Sequence, residues 1–185
     1  MREIALHLLD IAHNSVSAKA KTIKISVIED ASQDRLHLSV EDDGIGMDAE
    51  TVQRVMDPFV TSRTTRSVGL GIPLLKAAAE ACNGFLTISS QPGVGTRIDV
   101  EFQLSHIDRM PLGNIGETFL TLVVGCPDVN WQLNYTCDKD AFEFNDADFK
   151  KELEGIALTD PAVLGYLRGY ITQGISETQT STQML

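Results

Sequence analysis

A strand that runs into two carboxylates, and then into two glycines one residue apart, has few ways to continue. Leu36-His37-Leu38-Ser39-Val40 alternates apolar and polar residues, as a half-buried strand does. Residues 42–46, Asp-Asp-Gly-Ile-Gly, follow it. Glycines let the chain turn sharply and bring bare backbone close to another group. An aspartate at that point can accept a hydrogen bond from an exocyclic amine, while the glycines leave room for a flat ring. An Asp-Gly turn by itself is also ordinary hairpin chemistry, so the rest of the chain has to decide.

Residues 2–18 read as an amphipathic helix with Ile4, Leu8 and Ile11 on one face and Ala5, Leu9 and Ala12 widening it. Asp10 and Asn14 are four apart and stack at the margin of that face, with His7 one turn earlier. Such a pair is either solvated or specific. An amide oxygen can complete the oxygen shell of a magnesium ion, and a carboxylate can orient or deprotonate a nucleophile. A strand is expected at 22–29, a polar hairpin loop at 30–35, and a short helix capped by Asp48.

Residues 61–68 hold threonine, serine and arginine with almost no apolar content. They read either as a solvated loop or as a lid whose Arg63 and Arg66 swing over phosphates. Gly69-Leu70-Gly71 then opens a helix from Ile72 to about Cys82, and a helix N-terminus preceded by glycines offers N–H groups to an anion. Asn83-Gly84 ends that helix, and strands at 85–91 and 96–104 form a hairpin around Pro92-Gly93-Val94-Gly95.

The net charge of −11 speaks against nucleic acid. An acidic chain that holds a polyphosphate must find positive potential in lid cations, helix N-termini or a metal. No apolar run is long enough to span a membrane, and residues 1–4 lack the pattern of a secretory leader. Cys82, Cys126 and Cys137 share no Cys-x-x-Cys spacing and read as the reduced thiols of a cytoplasmic protein. The four histidines are scattered, so no metal site built only from side chains is expected. The phosphate loop ending Gly-Lys-Ser/Thr, the dinucleotide fingerprint and the protein-kinase signatures are all missing.

Five motifs in this order carry a resemblance. They are Asp10 with Asn14, Asp42-x-Gly44-x-Gly46, Phe59, Gly69-x-Gly71 and Gly95-Thr96. Residues 1–104 resemble the ATPase superfamily shared by DNA gyrase, ninety-kilodalton heat-shock chaperones, histidine kinases and mismatch-repair ATPases. The resemblance implies an α+β fold of Bergerat type, a two-layer sandwich in which a mixed, mainly antiparallel sheet is backed by helices. It also implies ATP and Mg2+ as cofactors. Asn14 would coordinate the magnesium that bridges the phosphates, and Asp42 would bind the adenine amine. Gly44 and Gly46 would shape the adenine pocket, with Thr96 hydrogen bonding nearby and Phe59 at the phenylalanine box. Gly69, Leu70 and Gly71 would cradle phosphates beneath a lid at about 57–68, and Asp10 would be the catalytic acid. Aspartate here is one methylene shorter than the family's usual glutamate. The chain also begins directly at the first helix, without the preceding strand or helix pair of other members and without a phosphoacceptor-histidine helix pair.

Met110-Pro111 reads as a boundary, giving an ATP-binding domain at 1–104, a small α+β extension at 105–175 and a frayed polar tail at 176–185. Residues 105–185 hold 12 acidic and 5 basic side chains. A helix at 113–126 (with strand an alternative for its Leu122-Val123-Val124 end), a hairpin around 137–140, and helices at 147–154 and 161–174 capped by Asp146 and Asp160 are expected there. This half shows no motif of the transducer domain of gyrase and mismatch-repair members. It reads equally as a docking module for a protein partner or phosphoacceptor and as the part that completes the core. Magnesium-dependent phosphoryl transfer to a protein or to water is the leading expectation for function. The alternatives are a non-catalytic ATP-gated switch that docks a partner and an adaptor with an inert pocket. No nucleic-acid or membrane partner is expected.

Overall fold

Alternation decides the sheet. Ile23, Ile25 and Val27 on β1 (Thr22–Asp30) and Leu36, Leu38 and Val40 on β2 (Arg35–Asp42) all lie on one buried face. The antiparallel register sets Ile25 against Val40 and Val27 against Leu38, and a slip by one residue would expose the whole set. In the computed structural model, which describes residues 3–57, 71–153 and 155–182, that pair is the centre of a six-stranded sheet. Its order is β3-β4-β2-β1-β5-β6, with β3 at Phe85–Gln91, β4 at Gly95–Gln103, β5 at Asn130–Cys137 and β6 at Asp140–Asn145. Only β1 and β5 run parallel; the other neighbours are antiparallel.

The helices cover one face: α1 (Ile4–Ser17), α2 (Ala49–Met56), α3 (Gly71–Ala81), α4 (Ile115–Gly125), α5 (Asp146–Glu152) and α6 (Pro161–Thr182). The opposite face is polar. Arg97 pairs there with Glu41 at 3.0 Å and Asp99 at 2.8 Å, His37 approaches Asp99 at 3.2 Å, and Arg35 pairs with Glu101. Such exposed pairs are worth about 0–1 kcal/mol each and chiefly keep this face wet. The two-layer α+β sandwich with a mainly antiparallel mixed sheet is therefore as expected.

Residues 105–182 join the same sheet and the same core. β5 lies against β1, and Trp131, Leu133, Tyr135, Phe119 and Leu167 belong to one hydrophobic cluster with Ile4, Leu8 and Ile23. The start of α1 depends on this half too. Glu3 provides no side-chain cap; instead the N–H groups of Ile4 and Ala5 donate to the carbonyls of Pro111 (3.0 Å) and Leu112 (2.8 Å). Two of the orphan donors of that helix end are thus satisfied from residues more than 100 positions away in sequence.

Residues 122–124 are helical, as the leading expectation for 113–126 had it, within α4, which begins behind an Asn114 cap. Two local expectations need correction. Asp146 is not a cap: Asn145 accepts from the Ala147 N–H, while Asp146 is wholly buried. Its carboxylate accepts from the Trp131 N–H at 2.8 Å and pairs with Lys150 Nζ at 2.6 Å, pinning α5 to β5. Finally, α6 runs on to Thr182 where a frayed tail was expected from 176. Tertiary contact holds the extra turns: Ile175 and Thr178 are buried and the Gln179 amide donates to Tyr135 Oη at 2.6 Å.

Candidate active site

The last turn of α1 and the end of β2 meet at the glycine-rich turn. α1 closes with Lys19 in the left-handed region (φ 61°), while Ala18 N–H donates to Asn14 O at 2.9 Å. The carbonyl of Ala18 then accepts from the Ile45 N–H at 3.0 Å. Asp43 accepts from the Lys21 and Thr22 N–H groups at 2.7 and 2.9 Å. Partial burial works against the charge of Asp43, but those donors outweigh it and hold the carboxyl below its usual range. This acid is a structural pin for the turn.

Asp42 is arranged differently. Its Oδ1 accepts the Gly44 N–H at 2.9 Å and its Oδ2 accepts the hydroxyl of Ser15, a buried residue of α1, at 2.5 Å. Gly46 takes φ +67°, and a Cβ there would lie 2.0 Å from the Gln91 carbonyl oxygen. Gly95 is under the same constraint, since a Cβ would meet the Asp42 carbonyl oxygen at 1.9 Å. A Cβ on Gly44 would come within 2.8 Å of the Ala18 carbonyl oxygen. All three positions exclude a side chain on steric grounds alone.

These elements enclose a cavity of about 270 Å³ between α1, α2, α3 and the sheet. Asn14, Asp42, Gly46 and Thr96 line it together. Ile11, Ile45, Met47, Val55, Ile72 and Ile98 supply an apolar wall. An apolar slot with a few convergent polar groups is the usual form of a small-molecule site. No lysine or arginine is among its lining residues, and α3 contributes Ile72 to them. Asp10 does not line the slot. It lies one turn before Asn14, and its Oδ2 is 3.2 Å from where a Cβ on Gly71 would sit, beside the start of α3. Phe59, Arg63, Arg66, Gly69 and Leu70, with the expected lid, lie outside the described residues.

Residues 1–106 match the family model for histidine kinase-, DNA gyrase B- and HSP90-like ATPases. The chain belongs to this family. It is 31% identical over 117 residues to a non-motile and phage-resistance protein of Caulobacter vibrioides, covering 58% of this chain and 14% of that one. It is 33% identical over 90 residues to a sensor histidine kinase of Bacillus subtilis, covering 46% and 27%. The chain thus spans about a quarter or less of the length of these two relatives. In fold it is similar to the ADP-complexed ATPase domain of MutL from Aquifex aeolicus, with TM-score 0.52, 13% identity and coverage of 94% of this chain and 70% of that one. The N-terminal domain of a DNA repair protein gives the same TM-score at 12% identity, covering 78% and 52%. The likeness in fold to MutL continues past the residues that the family model matches.

Within this ATPase-family domain the structure adds residues that sequence reasoning passed over. Ser15 was hidden by its neighbour Asn14, although a serine one position past the amide on a well-packed helix must find a partner if buried. Ser90 on β3 is the other. Its hydroxyl accepts from the Met47 N–H at 2.8 Å, donates to the Gly95 carbonyl at 3.0 Å and lies 2.8 Å from Thr96 Oγ1. Thr96 pairs in register with Asp42 on one side and Ser90 on the other, so this hydroxyl pair braces the glycine turn. His7, expected at the helix margin, is only 3% exposed. Among the described residues its Nδ1 has no hydrogen-bond partner, and burial holds its pKa below 6.5 against the opposing pull of Asp10 and Gly71.

Proposed function

We propose that the slot takes the adenine of ATP and that the chain transfers the γ-phosphoryl group to a protein or to water. The observation that carries this reading is that Asn14 and Asp42, from α1 and β2, line one cavity. Asp42, its two oxygens oriented by Ser15 and Gly44, accepts from the adenine amine. Gly46 and the apolar wall take the flat ring. The phosphates run toward Asn14 and the start of α3, where N–H groups and the helix dipole favour an anion.

Among the described residues no group of three or more His, Cys, Asp or Glu side chains converges on a metal position. A magnesium ion would therefore find one protein oxygen, on Asn14, and complete its shell from phosphate and water, which suits an ion that dehydrates reluctantly. When bound it neutralises phosphate charge. Asp10 takes the proton of the attacking hydroxyl or water. Positioning and charge neutralisation do most of the work in such transfers.

Family and relatives agree with a regulatory, histidine-kinase-like role. Among the described residues no helix is long and apolar enough to cross a membrane, and a cytoplasmic setting fits the absence of a disulfide among the three cysteines. The acceptor or partner would meet the acidic C-terminal half. A second reading, an ATP-gated switch without turnover, is favoured by the place of Asp10. A carboxylate leaning on the start of α3 neutralises the helix end that would otherwise attract phosphate.

One comparison separates the two. Phosphate release and nucleotide affinity are measured for the parent and for Asp10→Asn, which keeps size and removes the base. Turnover that disappears at unchanged affinity supports transfer; a parent that binds magnesium and ATP without turnover supports the switch.

A further inference from the structure

Strand β6 is the last in the sheet. One edge pairs with β5, and among the described residues nothing pairs with the other. Edge strands usually blunt their free N–H and C=O groups with lysine, proline or a bulge. The sequence of β6, Asp-Ala-Phe-Glu-Phe-Asn, contains neither lysine nor proline.

A groove of about 520 Å³ runs over this edge, and its two walls differ. On the helical side the rings of Phe149, Tyr166 and Tyr170 form a row. Phe149 and Tyr166 stack at 6.0 Å and 5°, and Tyr166 and Tyr170 at 6.2 Å and 13°. Tyr166 is 63% exposed and Tyr170 48% exposed, far more than a core would leave such rings. On the polar side stand Glu143, from β6, and Asp148 and Glu152, one turn apart on α5. Asp148 accepts from Asn145, the register partner of Gln132 on the open face, which places it on that side. Lys24 is the one lysine of the lining. Nearby, Lys151 is exposed and pairs with Asp148 at 3.3 Å, while Lys150 is turned inward to Asp146 and the Pro127 and Val129 carbonyls.

We propose that the β6 edge takes an extended segment of a partner protein as a seventh strand, with basic and apolar side chains alternating along it. The pleat dictates the alternation. An added strand sends every second side chain toward the carboxylate wall and the others toward the aromatic row. Main-chain hydrogen bonds supply the attachment, and the carboxylates select lysine or arginine. Charge also argues against a second copy of this chain as the occupant. Symmetric pairing of two β6 edges centred on Glu143 would set that carboxylate opposite its own copy, and like charges set opposite each other destabilise a pair.

The test uses a labelled peptide of about ten residues alternating arginine and valine, a length typical of a long strand. It is titrated against the full chain by fluorescence anisotropy. Three comparisons accompany it: the same peptide with glutamate for arginine, versions N-methylated on alternate residues in both registers, and two double variants. These are E143K with E152K, and Y166A with Y170A; all four positions are exposed, and thermal melts check that the variants fold. Saturable binding is expected, weakened about tenfold or more by the glutamate peptide, by one N-methylation register and by each double variant. Equal binding of the acidic and basic peptides, indifference to N-methylation in both registers, or no saturable binding would overturn the proposal. Self-association of the chain that the Y166A/Y170A variant abolishes would overturn it in favour of a second copy.

Discussion

Ser15 Oγ donates to Asp42 Oδ2 at 2.5 Å, tying the last turn of α1 to the last residue of β2. The two ends of the proposed nucleotide site therefore share one anchor, because Ser15 follows directly on Asn14. With the Gly44 N–H on the other oxygen, the carboxylate of Asp42 cannot rotate freely. A ligand amine then meets an acceptor that is already oriented, and little ordering cost remains to be met on binding.

Ser15→Ala removes that donor and leaves the cavity wall otherwise intact. Adenine-nucleotide affinity is expected to fall by about 1 kcal/mol, roughly fivefold, the net worth of one hydrogen bond. Calorimetric titration reads this directly, and unchanged affinity would mean that Asp42 needs no such brace.

Two glycines with left-handed backbone separate strain from steric exclusion. Gly93 has φ +75° but open space around its Cβ position, whereas Gly46 has φ +67° and the Gln91 carbonyl oxygen 2.0 Å away. Gly93→Ala should cost about 1 kcal/mol. Gly46→Ala should cost more than about 2 kcal/mol, since backbone must also move. Chemical denaturation of both variants checks the order; equal losses would contradict the close approach at Gly46.

The buried pair Asp146–Lys150 and the exposed pair Asp148–Lys151 lie in the same helix turn. Asp146→Ala leaves the Trp131 N–H without its acceptor and Lys150 without its counter-ion, a loss of about 3–5 kcal/mol. Asp148→Ala should change stability by less than about 1 kcal/mol. Urea unfolding midpoints of the two variants distinguish these outcomes.

His7 gives stability a pH dependence of definite sign. Its folded pKa lies below the ordinary 6.5, through burial first, so below 6.5 the unfolded chain binds the proton more readily. The contribution of His7 is full above pH 6.5 and is lost as pH falls toward the folded value. His7→Leu should therefore show a flatter fall in melting temperature than the parent between pH 7 and about 5. Parallel curves for the two proteins would remove His7 from the account.

Much of the candidate site was legible in the sequence because its constraints are local. Asp42, Gly44 and Gly46 follow a strand whose alternation is plain, and Asp10 and Asn14 keep helical spacing. What escaped depended on contacts distant in sequence. Nothing around Pro111 announces that its carbonyl caps a helix beginning at Ile4. Asp146 has the residue type and place of a cap, yet its neighbour Asn145 takes that task and frees Asp146 for the Trp131 N–H. The polar composition of 176–182 suggests a loose tail, but Thr178 is buried and the Gln179 amide donates to Tyr135 of β5. In each case tertiary contact overrode local pattern.

We propose that one adenine nucleotide reaches from Asp42 to Asn14. Titrating ADP into the parent, Asp42→Ala and Asn14→Ala, each with and without magnesium, tests it most directly. Asp42→Ala should weaken binding under both conditions, by about 2 kcal/mol or more for the lost charged acceptor. Asn14→Ala should weaken it only when magnesium is present. Nucleotide binding by Asp42→Ala that matches the parent would contradict the account.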